Sequence, residues 1–346
     1  MTSRRAVLGW IGALLAWPAL AQRDPLAPSP EAGPERGASP ESLRAEIAAI
    51  ARRFNGRAGI AIVNLRDRWE IDFGADRLFP QQSCSKLWVA ITLLDEVDEG
   101  RVSLDRQVTI HPRDLTLFHQ PLAELVRRKG SHTTTLGALL FQAITESDNT
   151  ANDTLLRSIG GPDAVRATIR RKGLGAIRFY NGERSLQSRI AGLTWSQGYS
   201  VGNAFSRARA ALPFAVRKAA FDRYLDDPFD GASPRAVARA LARLKRGELL
   251  SPGSTRRLLA IMGRTRTGRA RVRAALARGW DWNHKTGTGQ ELHGRIGGIN
   301  DIGLLTAPDG TVYAMALMTV PNTANGGAQG LMQAVTRAVI ASHRGR

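Results

Sequence analysis

The chain has 346 residues, 43% of them hydrophobic, with 49 lysines and arginines against 30 acidic residues and a formal net charge of +19 at pH 7. Its one cysteine, Cys84, excludes an intrachain disulfide, so packing alone must hold the core, and a chain of this length buries enough surface for that. The positive balance favours anionic surfaces or substrates and discourages self-association, so a monomer is expected.

Residues 1–21 pair Arg4 and Arg5 with an apolar run, Ala6–Leu20, that ends in Ala19-Leu20-Ala21. This is the pattern of a twin-arginine signal peptide with a small-residue cleavage site. The run is short for a span of about 20 apolar residues and Pro18 interrupts it, so no membrane span is expected after processing. A periplasmic location follows, and it removes nucleic acid as a partner, for which no motif exists either. Residues 22–40 form a Pro/Gly/Ser-rich spacer that reads as disordered.

Ser39 and Pro40 then open a helix, Glu41–Phe54, with Leu43, Ile47 and Ile50 on one face. Two β-type runs, Ala58–Leu65 and Arg68–Phe73, flank Arg66-Asp67 like a hairpin. From Ser83 to about Met262 the pattern is mainly helical: Lys86–Glu99, Thr135–Ile144, Asn149–Ile159 and Pro162–Lys172 are separated by glycines and polar turns. Strand patterns return over Asp281–Gly289, Arg295–Leu305 and Thr311–Val320, before a last helix from Ala328 to His343. Residues 41–346 therefore read as one α+β domain. Its antiparallel sheet is built from 41–82 and 263–346 with flanking helices, and 83–262 form an all-helical lobe. A groove between lobes is the expected site. No zinc or dinucleotide pattern occurs, and no cofactor is expected.

Chemistry concentrates in three stretches. In QQSCSKLWVA, Ser83 and Lys86 share one face at the start of a helix, where an unprotonated lysine can activate a hydroxyl. Cys84 lies off that face, without a histidine placed to activate it, and reads as a packed residue. ITESDNTAND supplies Ser147-Asp148-Asn149, and NHKTGTGQ supplies Lys285-Thr286-Gly287. S-x-x-K, S-D-N and K-T-G in that order are the signature of serine β-lactamases and penicillin-binding proteins.

The chain resembles the class A serine β-lactamases, from roughly Ser39 to its C-terminus. Phe79-Pro80 before the serine, Trp280 five residues before Lys285, and the KTGTG form of the third motif all match. The resemblance implies a β-lactamase/DD-peptidase-like fold and a β-lactam substrate. It makes Ser83 the nucleophile, Lys86 the acylation base with a pKa lowered by Lys285, and Ser147 the proton relay to the leaving nitrogen. Asn149 would hold the substrate's amide side chain, and Lys285 with Thr286 its carboxylate. The N–H groups of Ser83 and Thr288 would form the oxyanion hole. Arg271 in TGRARVRA and Arg295 in LHGRIGG are the two candidates for a bidentate contact with that carboxylate, and Phe118 is the aromatic residue at the groove entrance.

Deacylation separates a hydrolase from a D-Ala-D-Ala carboxypeptidase or a non-hydrolysing β-lactam-binding protein. Glu183 in YNGERSLQSR, 34 residues after Asn149, corresponds to the family's deacylating glutamate. Three departures accompany it: Gln187 replaces an asparagine, Asn181 an arginine that ties down the loop, and Gly182 adds flexibility. Between Gln187 and Ser233 lie 45 residues, an interval longer than in the family. Within this insert, near 188–232, Phe205–Phe229 reads as amphipathic and basic, suited to a lid, an anionic envelope surface or packing filler.

Overall fold

The computed structural model describes residues 40–324 and 326–344; the leader and most of the spacer expected before Pro40 lie outside them. Alternating and continuous apolar runs from the two ends of the sequence meet in one antiparallel sheet. Its strands run in the order Glu70–Phe73, Gly56–Asn64, Val312–Pro321, Ile299–Thr306, Asp281–Thr288. The middle strand is buried at every position, which is why VYAMALMTVP reads as an unbroken apolar run rather than an alternating one. Tyr313, Met315 and Leu317 face one core, with Leu43 and Ile47 of the first helix and Leu331, Met332 and Val335 of the last. Ala314, Ala316, Met318 and Val320 face the other, which continues through the helical region.

The expected helices form with ends shifted by a residue or two: Pro40–Arg52, Lys86–Asp98, Leu136–Thr145, Asn149–Ser158, Pro162–Arg171 and Ala328–Arg344. Thr135 and Asp148 stand just outside two of them because their side chains accept the N–H groups of Ala138 and Ala151 as caps. The run expected as one strand from Arg295 to Leu305 is two, Arg295–Ile296 and Ile299–Thr306, broken where Gly298 takes φ +120°. Helix Pro234–Lys245 belongs by sequence to the helical stretch, yet it packs on the sheet: a Cβ on Gly59 would lie 2.7 Å from Pro234. The insert forms two helices, Ala204–Ala211 and Phe214–Asp226. Helix Lys86–Asp98 is buried on nearly all sides through Leu87, Trp88, Val89, Ile91 and Leu94, as its uniformly apolar sequence requires. That central rod gives the serine motif a rigid mount.

Candidate active site

Ser83 lies in a short 3₁₀ turn, Gln82–Ser85, that runs directly into helix Lys86–Asp98. Gln82, Cys84 and Ser85 are buried, and Ser83 alone in the turn reaches the surface. Burial pushes the Cys84 thiol up to about 12, so it is an inert packing group at the neutral pH where a nucleophile must work. The turn presses against the lysine strand: a Cβ on Gly287 would lie 2.3 Å from the Gln81 carbonyl oxygen, so only glycine fits there.

Lys86 is 1% exposed, and its Nζ finds an acceptor for each of its three hydrogens. It donates to Ser83 Oγ at 2.7 Å, to Asn149 Oδ1 at 2.8 Å, and to Glu183 Oε1. Glu183 opens helix Glu183–Ile190, and that helix start is held from another element. Asp153 Oδ1 accepts the Glu183 N–H at 2.9 Å, and its Oδ2 accepts that of Arg184 at 3.3 Å. Gly182 is less a flexible joint than a close-packed one: with φ +84°, its missing Cβ would lie 2.9 Å from Leu156 Cδ2 and 3.0 Å from Asp153 Oδ1. Arg166, from helix Pro162–Arg171, supplies the tie absent at Asn181. Its Nη1 donates to the carbonyls of Phe179 and Tyr180 at 3.2 and 3.4 Å, and to Asn181 Oδ1 at 3.2 Å.

Lys285 Nζ, fully buried, donates to Ser147 Oγ at 2.8 Å. Burial above all, and then the neighbouring Lys86 charge, pushes its pKa down to about 7. Gln82, Ser147 and Phe118 all adopt left-handed backbone conformations, with φ of 54°, 63° and 59°. Such conformations cost free energy and gather where a site over-determines them. Ser83, Ser147, Asn149, Gln187 and Thr286 line one cleft of about 570 Å³.

The family model described as "Beta-lactamase enzyme family" matches residues 42–342. The chain belongs to the β-lactamase enzyme family. β-Lactamase CTX-M-25 of Escherichia coli is 30% identical over 271 residues, 78% of this chain and 77% of that protein. The crystal structure of a β-lactamase from Chitinophaga pinensis superposes with a TM-score of 0.70 at 26% identity, covering 86% of this chain and 97% of that one. An ancestral class A β-lactamase gives 0.69 at 28%, covering 86% and 98%. The resemblance to class A serine enzymes and the α+β fold expected from the sequence are both borne out.

In this β-lactamase the remaining sequence-picked residues divide. Thr288 and Phe118 also line the cleft, Phe118 half-exposed with its ring edge-on to Phe205 of the insert at 5.1 Å. Arg271 lies in the cleft wall, where its Nη1 donates to the Gly287 and Asn300 carbonyls at 3.1 and 2.6 Å, and its Nη2 to Thr288 Oγ1 at 2.5 Å. Burial lowers its pKa, opposed by the charge of Asp301. Arg295 is elsewhere. Its Nη1 pairs with Asp222 of the insert at 2.6 Å and its guanidinium lies over Phe221, so the insert claims the arginine that the resemblance offered to the substrate. Asn149 gives its Oδ1 to Lys86 and donates from Nδ2 to the Leu117 carbonyl at 2.9 Å, leaving one amide hydrogen for a ligand.

Sequence reasoning missed His119, Thr267 and Gln290, all in the cleft wall, and Asp153 behind Glu183. Asp153 was findable: four residues after Asn149, it shares that helix face. Thr267 Oγ1 lies 2.6 Å from Thr286 Oγ1, a contact with no sequence signal.

Proposed function

We propose that Ser83 opens the β-lactam amide and that Glu183 directs water onto the resulting ester. The proton moves first from Lys86 Nζ to Glu183 Oε1, which frees the amine to take the Ser83 proton as Oγ attacks the carbonyl carbon. Donors in the Ser83–Thr288 region stabilise the oxyanion. The C–N bond then breaks as Lys86 returns the proton to the leaving nitrogen through Ser147, and the Glu183 proton passes back to Lys86. For release, Glu183 takes a proton from water, hydroxide attacks the ester carbonyl, and that proton leaves with Ser83 as the C–O bond cleaves. Lys285, Thr286 and Arg271 together bind the substrate carboxylate.

The observation that carries this reading is the contact of one amine, Lys86 Nζ, with both Ser83 Oγ and Glu183 Oε1. A chromogenic cephalosporin tests it, with the Ser83 adduct followed by protein mass. Glu183→Gln should acylate more slowly, having lost the group that frees Lys86, while its release rate falls further, by roughly 10²–10⁴-fold, and the adduct accumulates. An adduct that persists equally in the wild type and the variant would mean a β-lactam-binding protein; cleavage of a D-alanyl-D-alanine peptide but not the drug would mean a peptidase.

The leader motif supports export and work in the periplasm, and the chain length supports a monomer. The charge of +19 supports loose association with anionic envelope material. Among the described residues no helix is long and apolar enough to cross a membrane.

A further inference from the structure

Helix Phe214–Asp226 of the insert packs against the Glu183 helix and buries Tyr224 completely. Tyr224 Oη donates to Asp230 Oδ1 at 3.0 Å and accepts from Gln82 Nε2 at 2.5 Å. Asp230 Oδ2 accepts the Gln82 backbone N–H at 2.7 Å. The Gln82 amide continues inward: its Oε1 accepts from Gln187 Nε2 at 3.2 Å, and the same nitrogen donates to Glu183 Oε2 at 3.2 Å. Gln290 Nε2 closes the far side by donating to Gln187 Oε1 at 2.9 Å.

Donor and acceptor roles make this chain directional. Gln82 Nε2 also donates to the Gly297 carbonyl at 3.1 Å, an oxygen that only accepts, so the Gln82 NH₂ stays on the side where Tyr224, donating to Asp230, offers it a lone pair. Gln82 must then turn its NH₂ toward Tyr224 and its carbonyl toward Gln187. Gln187 in turn must aim its NH₂ at Gln82 and Glu183. A flipped Gln187 amide would put oxygen against the Glu183 carboxylate. We infer that Tyr224 of the insert is a positioning residue for deacylation, fixing the Gln187 amide against Glu183 through Gln82. The inference rests on the hydrolase reading above. It also gives part of the insert a purpose, because a glutamine longer than the family's asparagine needs an outer anchor, and Tyr224 supplies it together with the Gly297 carbonyl.

The test measures acylation and deacylation rate constants separately, from the mass of the Ser83 adduct formed with a chromogenic cephalosporin by the full-length protein. Tyr224→Phe keeps the ring and removes the hydroxyl. Deacylation should slow by about tenfold while acylation stays within about twofold, a split that loosened packing would not produce. In a Gln187→Ala background the relay is already cut, so Tyr224→Phe should then change deacylation by less than about twofold. Gln82→Met cuts the same relay one link nearer the base and should repeat the split if Tyr224→Phe folds poorly. Unchanged deacylation in both variants, an undiminished Tyr224→Phe effect in the Gln187→Ala background, or a parallel fall in both rate constants would overturn the inference. A wild type that never releases the acid would instead overturn the hydrolase reading, before any variant is compared.

Discussion

The two walls of the cleft are built on different plans. On the serine wall, Lys86 meets Ser83 and Lys285 meets Ser147 in direct pairs, from a buried helix, a strained turn and a sheet strand, and Lys86 also reaches Glu183. On the glutamate wall, Glu183 begins an eight-residue helix whose position depends on Asp153, Arg166 and a chain of amides ending in the insert. Direct contact leaves little freedom in where the reacting groups sit. A relay can be tuned, or broken, at any link. On the proposed mechanism, covalent capture is then the robust half and release of product the adjustable half.

Three changes break or sharpen that contrast beyond those already described. The largest is Ser83→Ala, which should remove the acyl adduct and lower turnover by at least about 10⁴-fold, since no other group on the serine wall can replace the nucleophile. Residual turnover with an adduct elsewhere would show the wall misassigned. Next comes pH. Lys285 has its pKa lowered to about 7, chiefly by burial, so it carries its charge below that pH and loses it above. kcat/KM reports the free enzyme, and it should fall as pH rises through 7, approaching about tenfold per unit. Lys285→Arg, which keeps its charge throughout, should flatten that limb even if activity is lower. A wild-type profile level from pH 6 to 9 would contradict this. The smallest effect compares two arginines. Arg271→Ala should raise KM for a carboxylate-bearing substrate by about tenfold, the scale of one charge-assisted hydrogen bond. Arg295→Ala should leave KM within about twofold, since its partner is Asp222 and such surface pairs contribute little. Equal effects would erase the distinction between an arginine in the cleft and one outside it.

Much of the serine wall was legible because its spacing is local. Ser83 and Lys86 share a helix turn, Ser147 and Asn149 flank a cap, and Lys285 and Gly287 alternate on one strand face. The glutamate wall was legible only at Glu183. Arg166 compensates for Asn181 from 15 residues upstream, Gln82 and Gln187 meet across 105 residues, and Asp222 draws Arg295 away across 73. None of these pairings leaves a period or a motif, because hydrogen bonds between distant loops depend on how elements stack and not on the order in which they are written.

By itself, then, the amino-acid order settled which family this chain joins and that its sheet is assembled from both ends, and it singled out Ser83, Lys86, Lys285 and Glu183 as the candidates for chemistry. The sheet follows from hydrophobic period and the three motifs from short-range spacing, which operate before the chain is folded, while Glu183 and the roles come from the resemblance those motifs carry. Tertiary packing alone decided which arginine faces the cleft, what steadies Glu183, and what the insert is joined to. Each of those outcomes required a buried polar group to find its partner once the elements had closed around it, and burial leaves such a group no water to fall back on.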